Sequence, residues 1–101
     1  MAEKQRFLKI DYIEHNMMIA ALLQVLETAG PDLTERAQSL GEKVHACKDG
    51  RLFLKEDEFD LALYVMNELR NTYLAADRGC GAMDKFMLRL MKSKYKRVPV
   101  R

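Results

Sequence analysis

Apolar residues along this chain recur at the three- and four-residue spacing of a helix face, with no alternating pairs of strand-like runs. Three turn signals divide the pattern: Gly30-Pro31, Asp49-Gly50 and Gly79-Cys80-Gly81, with Pro99 closing the end. Between them Ala, Leu, Met, Glu, Lys and Arg predominate, all good helix formers. The first predicted helix covers about Glu3 to Thr28. Phe7, Ile10, Ile13, Met17, Ala20 and Ala21 form one stripe on it, interrupted by Gln24. Leu8, Tyr12, Ile19, Leu22, Leu23 and Leu26 form a second stripe. Its second half is therefore apolar on nearly all sides, as expected of a central helix or a subunit interface.

The second predicted helix follows Pro31, with Asp32 as N-cap and Glu35 completing a capping box. Its inward seam is narrow, formed by Leu33, Ala37, Leu40, Val44 and Cys47, and Asp49-Gly50 ends it. Arg51-Leu52-Phe53-Leu54 reads as an extended connection laying Leu52 and Leu54, or Phe53, over the core. A third helix starts near Glu56, whose acidic first turn complements the helix dipole, and runs to about Ala76. Phe59, Ala62, Leu63, Met66, Leu69 and Tyr73 make its main face, and Gly79 suits a left-handed position after its end. The fourth helix, about Ala82 to Tyr95, carries Met83, Phe86, Met87, Leu90 and Met91 on one side and Arg89, Lys92 and Lys96 on the other. These patterns predict an all-α fold: a compact four-helix bundle with short loops. It forms a single helical domain over residues 1–101 with a basic C-terminal segment, 85–101.

Length and charge narrow the function classes. A chain of 101 residues has room for one small core and excludes a dinucleotide-binding α/β sheet, an eight-stranded barrel or a multidomain enzyme. With 49% hydrophobic and 32% charged residues it is globular rather than disordered. Up to residue 84 there are ten Lys/Arg against fifteen Asp/Glu; from 85 to 101 there are seven Lys/Arg and no acid. A basic segment on an acidic body is suited to phosphate or acidic partners, and equally to a solvated end. Two cysteines make no disulfide framework. The charged start shows no leader peptide, and the seven-residue apolar run Met17–Leu23 is too short for a membrane span. The expectation is a soluble cytoplasmic protein with no membrane partner.

Candidate chemistry is sparse. Placing Gly50 at the glycine position of a calcium loop puts Glu56 at the last ligand, but His45 and Cys47 then fall where hard-oxygen ligands belong. His15, His45, Cys47 and Cys80 are zinc-type ligands without zinc spacing, and His45 and Cys47 point about 200° apart on a helix. Cys80, flanked by glycines before a helix, is a candidate reactive thiol that lacks an evident base. Glu56, Asp57, Glu58 and Asp60 read as capping charge rather than an acid–base pair. No phosphate loop or hydrolase motif occurs, so the expectation is a non-enzyme without cofactor or metal.

The remaining signals concern binding. Seven methionines in 101 residues is a high count for an adaptable apolar surface. The first expectation is a protein-binding adaptor, inhibitor or regulator, docking a protein partner or a second copy through Met17, Met18 and Leu22 or through Met83, Met87 and Met91. The alternative is an accessory nucleic-acid binder acting through Arg89, Lys92, Lys94, Lys96 and Arg97, with Tyr95 among the cations.

Overall fold

The computed structural model describes residues 4–47 and 49–97. The elements run β1 (Lys4–Lys9), α1 (Tyr12–Leu26), α2 (Pro31–Ala46), β2 (Arg51–Leu54), α3 (Glu56–Ala75), α4 (Gly81–Met91) and β3 (Lys94–Arg97). Four helices form on the expected segments, α2 and α4 each starting one residue ahead of them, but the all-α expectation is overturned by a three-stranded antiparallel sheet of order β2-β1-β3. Each pair of successive strands is joined by two helices. Strand β1 is central, pairing Arg6–Lys9 with Leu54–Arg51 on one side and Lys4–Phe7 with Arg97–Lys94 on the other.

The first eleven residues account for most of the difference. Phe7, Ile10, Ile13 and Met17 have helical spacing, yet the helix starts only at Tyr12. Asp11 caps it in extended geometry, its carboxylate accepting from the Glu14 N–H at 2.7 Å while Glu14 accepts from the Asp11 N–H at 3.0 Å. This reciprocal box satisfies two backbone donors and fixes the helix start. Ahead of it, Lys4–Lys9 gains its hydrogen bonds from residues about 45 and 90 positions away in the chain. Likewise α4 stops at Met91, and Lys94–Arg97, expected partly as helix and partly as tail, is the second edge strand.

Two helix ends also differ. Gly30 is the N-cap of α2 with Pro31 at its first position, so Asp32 contributes charge to the first turn rather than a cap. After α3 the left-handed residue is Asp77 (φ 57°), not Gly79. The Arg78 N–H reaches the Tyr73 carbonyl at 2.8 Å and the Asp77 N–H reaches Leu74 at 3.0 Å, a Schellman closure that Asp can adopt at modest cost.

The helices share one core with the inner face of the sheet. Leu8, Leu52 and Leu54 meet Met18 and Leu22 of α1, Leu40 and Val44 of α2, Val65 and Met66 of α3, and Phe86 and Leu90 of α4. Each such side chain contributes about 1.5–3 kcal/mol relative to exposure. Gly50 (φ 77°) turns the chain into β2, and its carbonyl accepts from the Ile10 N–H at 2.7 Å. A Cβ there would lie 2.7 Å from the Ile10 carbonyl oxygen, so the close approach of β1 and β2 requires glycine. The near-calcium segment around Asp49-Gly50 is thus a turn, with Asp49 accepting from the Arg51 N–H at 3.0 Å.

Candidate functional site

Side chains of a strand alternate between faces, and residues directly opposite in register share one. Leu8, Leu52 and Leu54 point into the core, so Gln5, Phe7, Lys9, Arg51, Phe53, Lys94 and Lys96 belong to the other face, where Gln5 is buried and accepts from Lys43 of α2 at 3.5 Å. Phe7 and Phe53 lie opposite each other, ring centroids 5.0 Å apart and planes inclined by 49°. Both are half-buried, and neither belongs to the hydrophobic core or packs against it. The Lys96 ammonium sits 4.6 Å above the Phe7 ring. Lys9, Arg51, Lys94 and Lys96 are exposed around the pair. Asp49, in the turn before β2, pairs with Arg51 at 3.1 Å.

Arg6, facing the opposite way from Phe7, holds β3 in place. Its guanidinium lies 3.9 Å from the Phe59 ring centroid and 5.0 Å from that of Tyr95. It donates to Glu56 Oε1 at 3.1 Å and to the Ser93 carbonyl at 3.2 Å, and the Tyr95 hydroxyl donates to the same Glu56 oxygen. The Tyr95 hydrogen bond and the nearby Arg6 charge hold the Glu56 carboxyl below its ordinary range, while Glu56 raises the Tyr95 phenol. One carboxylate thereby ties β1, α3 and β3 together and sets Lys94 and Lys96 beside the phenylalanines.

The structure divides the basic residues expected to act together. Lys94 and Lys96 lie on the outer sheet face, and Lys92 is exposed just past α4. Arg89 points elsewhere: it donates to the carboxylate of the buried Glu14 and to the Lys9 carbonyl, fastening α4 to the start of α1. The Arg97 side chain and residues 98–101 lie outside the described residues. The sequence pattern alone does not bring Phe7, Phe53, Lys9 and Arg51 together. Phe7 fits the helical spacing of Ile10 and Ile13, and the faces of Phe53 and Arg51 depend on pairing with β1.

The apolar candidates separate similarly. Met18, Leu22 and Met83 are core side chains; Met17 and Met87 are half-buried against the core; Met91 is exposed beside Leu88. The outward face of α1 is instead apolar at Tyr12, Ile13 and Leu23, which are 79%, 67% and 58% exposed.

A cleft of about 480 Å³ at the turn end of the sheet is lined by Ile10, Asp11, His15, His45, Cys47 and Gly50 among others. His15 Nε2 is 3.1 Å from the Val44 carbonyl. Burial, then the Asp49 charge, raises the Cys47 thiol and keeps it protonated, a poor nucleophile. Cys80 donates to Asp84 Oδ2 at 3.6 Å, and Asp84 also pairs with Arg70 at 2.6 Å; both histidines line the Cys47 cleft instead. Among the described residues no three His, Cys, Asp or Glu side chains converge as a metal site needs. No helix among them is long and apolar enough to cross a membrane. In comparisons with known proteins, the chain matches no family model, no curated protein and no solved structure.

Proposed function

We propose that this protein is a nucleic-acid-binding module acting through the outer face of its sheet. The observation that carries the reading is a pair of phenylalanines left out of the core and ringed by cations. Lysine on an edge strand discourages pairing with another chain, which accounts for Lys94 and Lys96 but not for Phe7 and Phe53. Lys9, Arg51, Lys94 and Lys96 supply charge for phosphates, and no acid stands among the face's strand residues. A second copy stacked on this face would oppose cations with cations, so an anionic occupant fits better. Two free thiols suit a reducing compartment such as the cytoplasm.

Fluorescence anisotropy with a labelled mixed-sequence oligonucleotide, titrated with salt, tests the reading. If three or four phosphates are neutralised, the logarithm of the binding constant falls with log salt at a slope of about −2 to −3. Lys94→Glu with Lys96→Glu abolishes binding on this account. Absence of binding at low salt, or binding indifferent to that double reversal, overturns it.

A second reading rests on α1, where Tyr12, Ile13 and Leu23 expose apolar surface on one side. It takes this face, with half-buried Met17 at its margin, as the docking surface for a protein partner or a second copy. Light scattering on wild type and Leu23→Asp tests the homodimer form. A dimer dissociated by the substitution supports it; a monomer in both samples removes it.

A further inference from the structure

Resting on the nucleic-acid reading, we infer that the sheet face takes an unpaired strand, whose bases stack on the Phe7–Phe53 platform while Lys9, Arg51, Lys94 and Lys96 hold its phosphates. In a duplex the π-faces of interior bases are covered by their neighbours, so an aromatic pair on a flat surface gains nothing from them. An unpaired strand can turn its bases onto such rings, and every base offers a π-face. The alternative, reading a duplex groove, uses an inserted helix or ribbon, or apolar side chains that project and wedge between kinked base steps. Here the helices share the core with the opposite sheet face; the outer face is built of strand residues, with Gln5 at one end covered by Lys43 of α2. Phe7 and Phe53 lie half-buried against each other rather than projecting as wedges.

The dimensions fit a short stretch of strand. Paired strands lie about 4.8 Å apart, so three strands span about 10 Å between their outer axes, enough for two or three nucleotides. Phe7 lies on the central strand and Phe53 on one edge; Lys94 and Lys96 lie on the other edge. With Lys9 on the central strand and Arg51 on the Phe53 edge, cations stand on all three strands around the stacking pair. Lys96, now above the Phe7 ring at 4.6 Å, has a flexible stem and exchanges the ring for a phosphate when a base arrives. The exposed polar side chains assigned to this face are lysine and arginine, donors that serve phosphates and do not discriminate a 2′-hydroxyl. DNA and RNA strands of one length should bind within a few-fold of each other.

The chain has no tryptophan, so Phe53→Trp installs a single reporter at the platform. The probes are oligo(dT) and oligo(U) 12-mers, a mixed-sequence duplex of 12 base pairs, and inorganic polyphosphate, all at one moderate salt concentration. Expected are quenching of the tryptophan by both oligonucleotides but not by polyphosphate, and weaker binding to the duplex. Phe7→Leu and Phe53→Leu, which keep apolar bulk without a ring, should each weaken single-strand binding about 5- to 100-fold and leave polyphosphate binding unchanged. Circular dichroism melts establish that the leucine variants are folded, and Phe7→Tyr should restore binding. Equal binding of duplex, single strand and polyphosphate, insensitive to both leucine variants but lost on reversal of Lys94 and Lys96, overturns the stacking inference and leaves the nucleic-acid reading standing. A more than tenfold preference for oligo(U) overturns the claim of sugar-blind recognition. Failure to bind any nucleic-acid probe overturns the parent reading as well.

Discussion

Replacing Gly50 by alanine probes the joint that sets the whole outer face, and its cost can be worked from the structure. At φ 77° a residue with a Cβ incurs about 1–2 kcal/mol. The new Cβ would stand 2.7 Å from the Ile10 carbonyl oxygen, so β1 and β2 must separate, weakening the Ile10–Gly50 hydrogen bond of 2.7 Å. That bond is worth about 0.5–1.5 kcal/mol net. Reduced freedom of the unfolded chain returns about 0.4–1 kcal/mol, and the steric push adds to the loss, leaving a destabilisation of about 2–3 kcal/mol. For a domain of this length the melting temperature falls by about 10–15 °C. Gly41→Ala is the internal control. Gly41 lies inside α2, and a Cβ there meets only Leu22 Cδ1 at an ordinary 3.9 Å. Alanine should stabilise by about 0.5–1 kcal/mol through helix propensity. Thermal and urea unfolding followed at 222 nm measures both. A Gly50→Ala protein melting within about 2 °C of wild type, or a Gly41→Ala protein melting lower, would refute this account of the β1–β2 joint and of α2.

Arg89→Ala should cost about 1–3 kcal/mol, because it strips the buried Glu14 of its cation. Once the variant is confirmed folded, its affinity for nucleic acid should match wild type; loss of binding in a folded variant would return Arg89 to the site. Among the four tyrosines, Tyr95 should ionise above the ordinary phenol value of 10.0, and Glu56→Gln should remove that displacement in an ultraviolet titration. The pair's contribution to stability has two limits. Glu56, depressed in the fold, contributes above the unfolded carboxyl value and loses that contribution as pH falls through its folded value. Tyr95, raised in the fold, contributes below the unfolded phenol value and loses that contribution as pH rises through its folded value. Denaturation of wild type and Glu56→Gln should therefore differ most between these limits, and a constant difference across both would count against the tether.

The candidate site was only partly legible in the sequence. Lys94 and Lys96 stand out because the last seventeen residues hold no acid, and charge can be counted along a chain. Their companions cannot. Phe7 satisfies the helical spacing of Ile10, Ile13 and Met17, and only the Asp11-x-x-Glu14 box contradicts that reading locally. Arg89 looks like part of the basic group until the fold turns it toward Glu14, 75 residues earlier. Met83 and Met91 occupy one amphipathic pattern, yet one is in the core and the other at half exposure. A helix seam says which side tends inward, not how far the neighbouring helix extends to cover it.

By itself the sequence determined the four helical segments, the turn at Asp49-Gly50, the extended character of Arg51–Leu54 and the concentration of positive charge at the end. These follow from local forces: propensity, capping, apolar spacing and glycine's access to positive φ. Tertiary structure alone decided that β1, β2 and β3 form a sheet, and so which face receives each side chain. A strand's hydrogen bonds are made to another segment, and a shift of one residue in register exchanges its two faces. Phe7 and Phe53, 46 positions apart, become one surface only because β1 and β2 pair in this register.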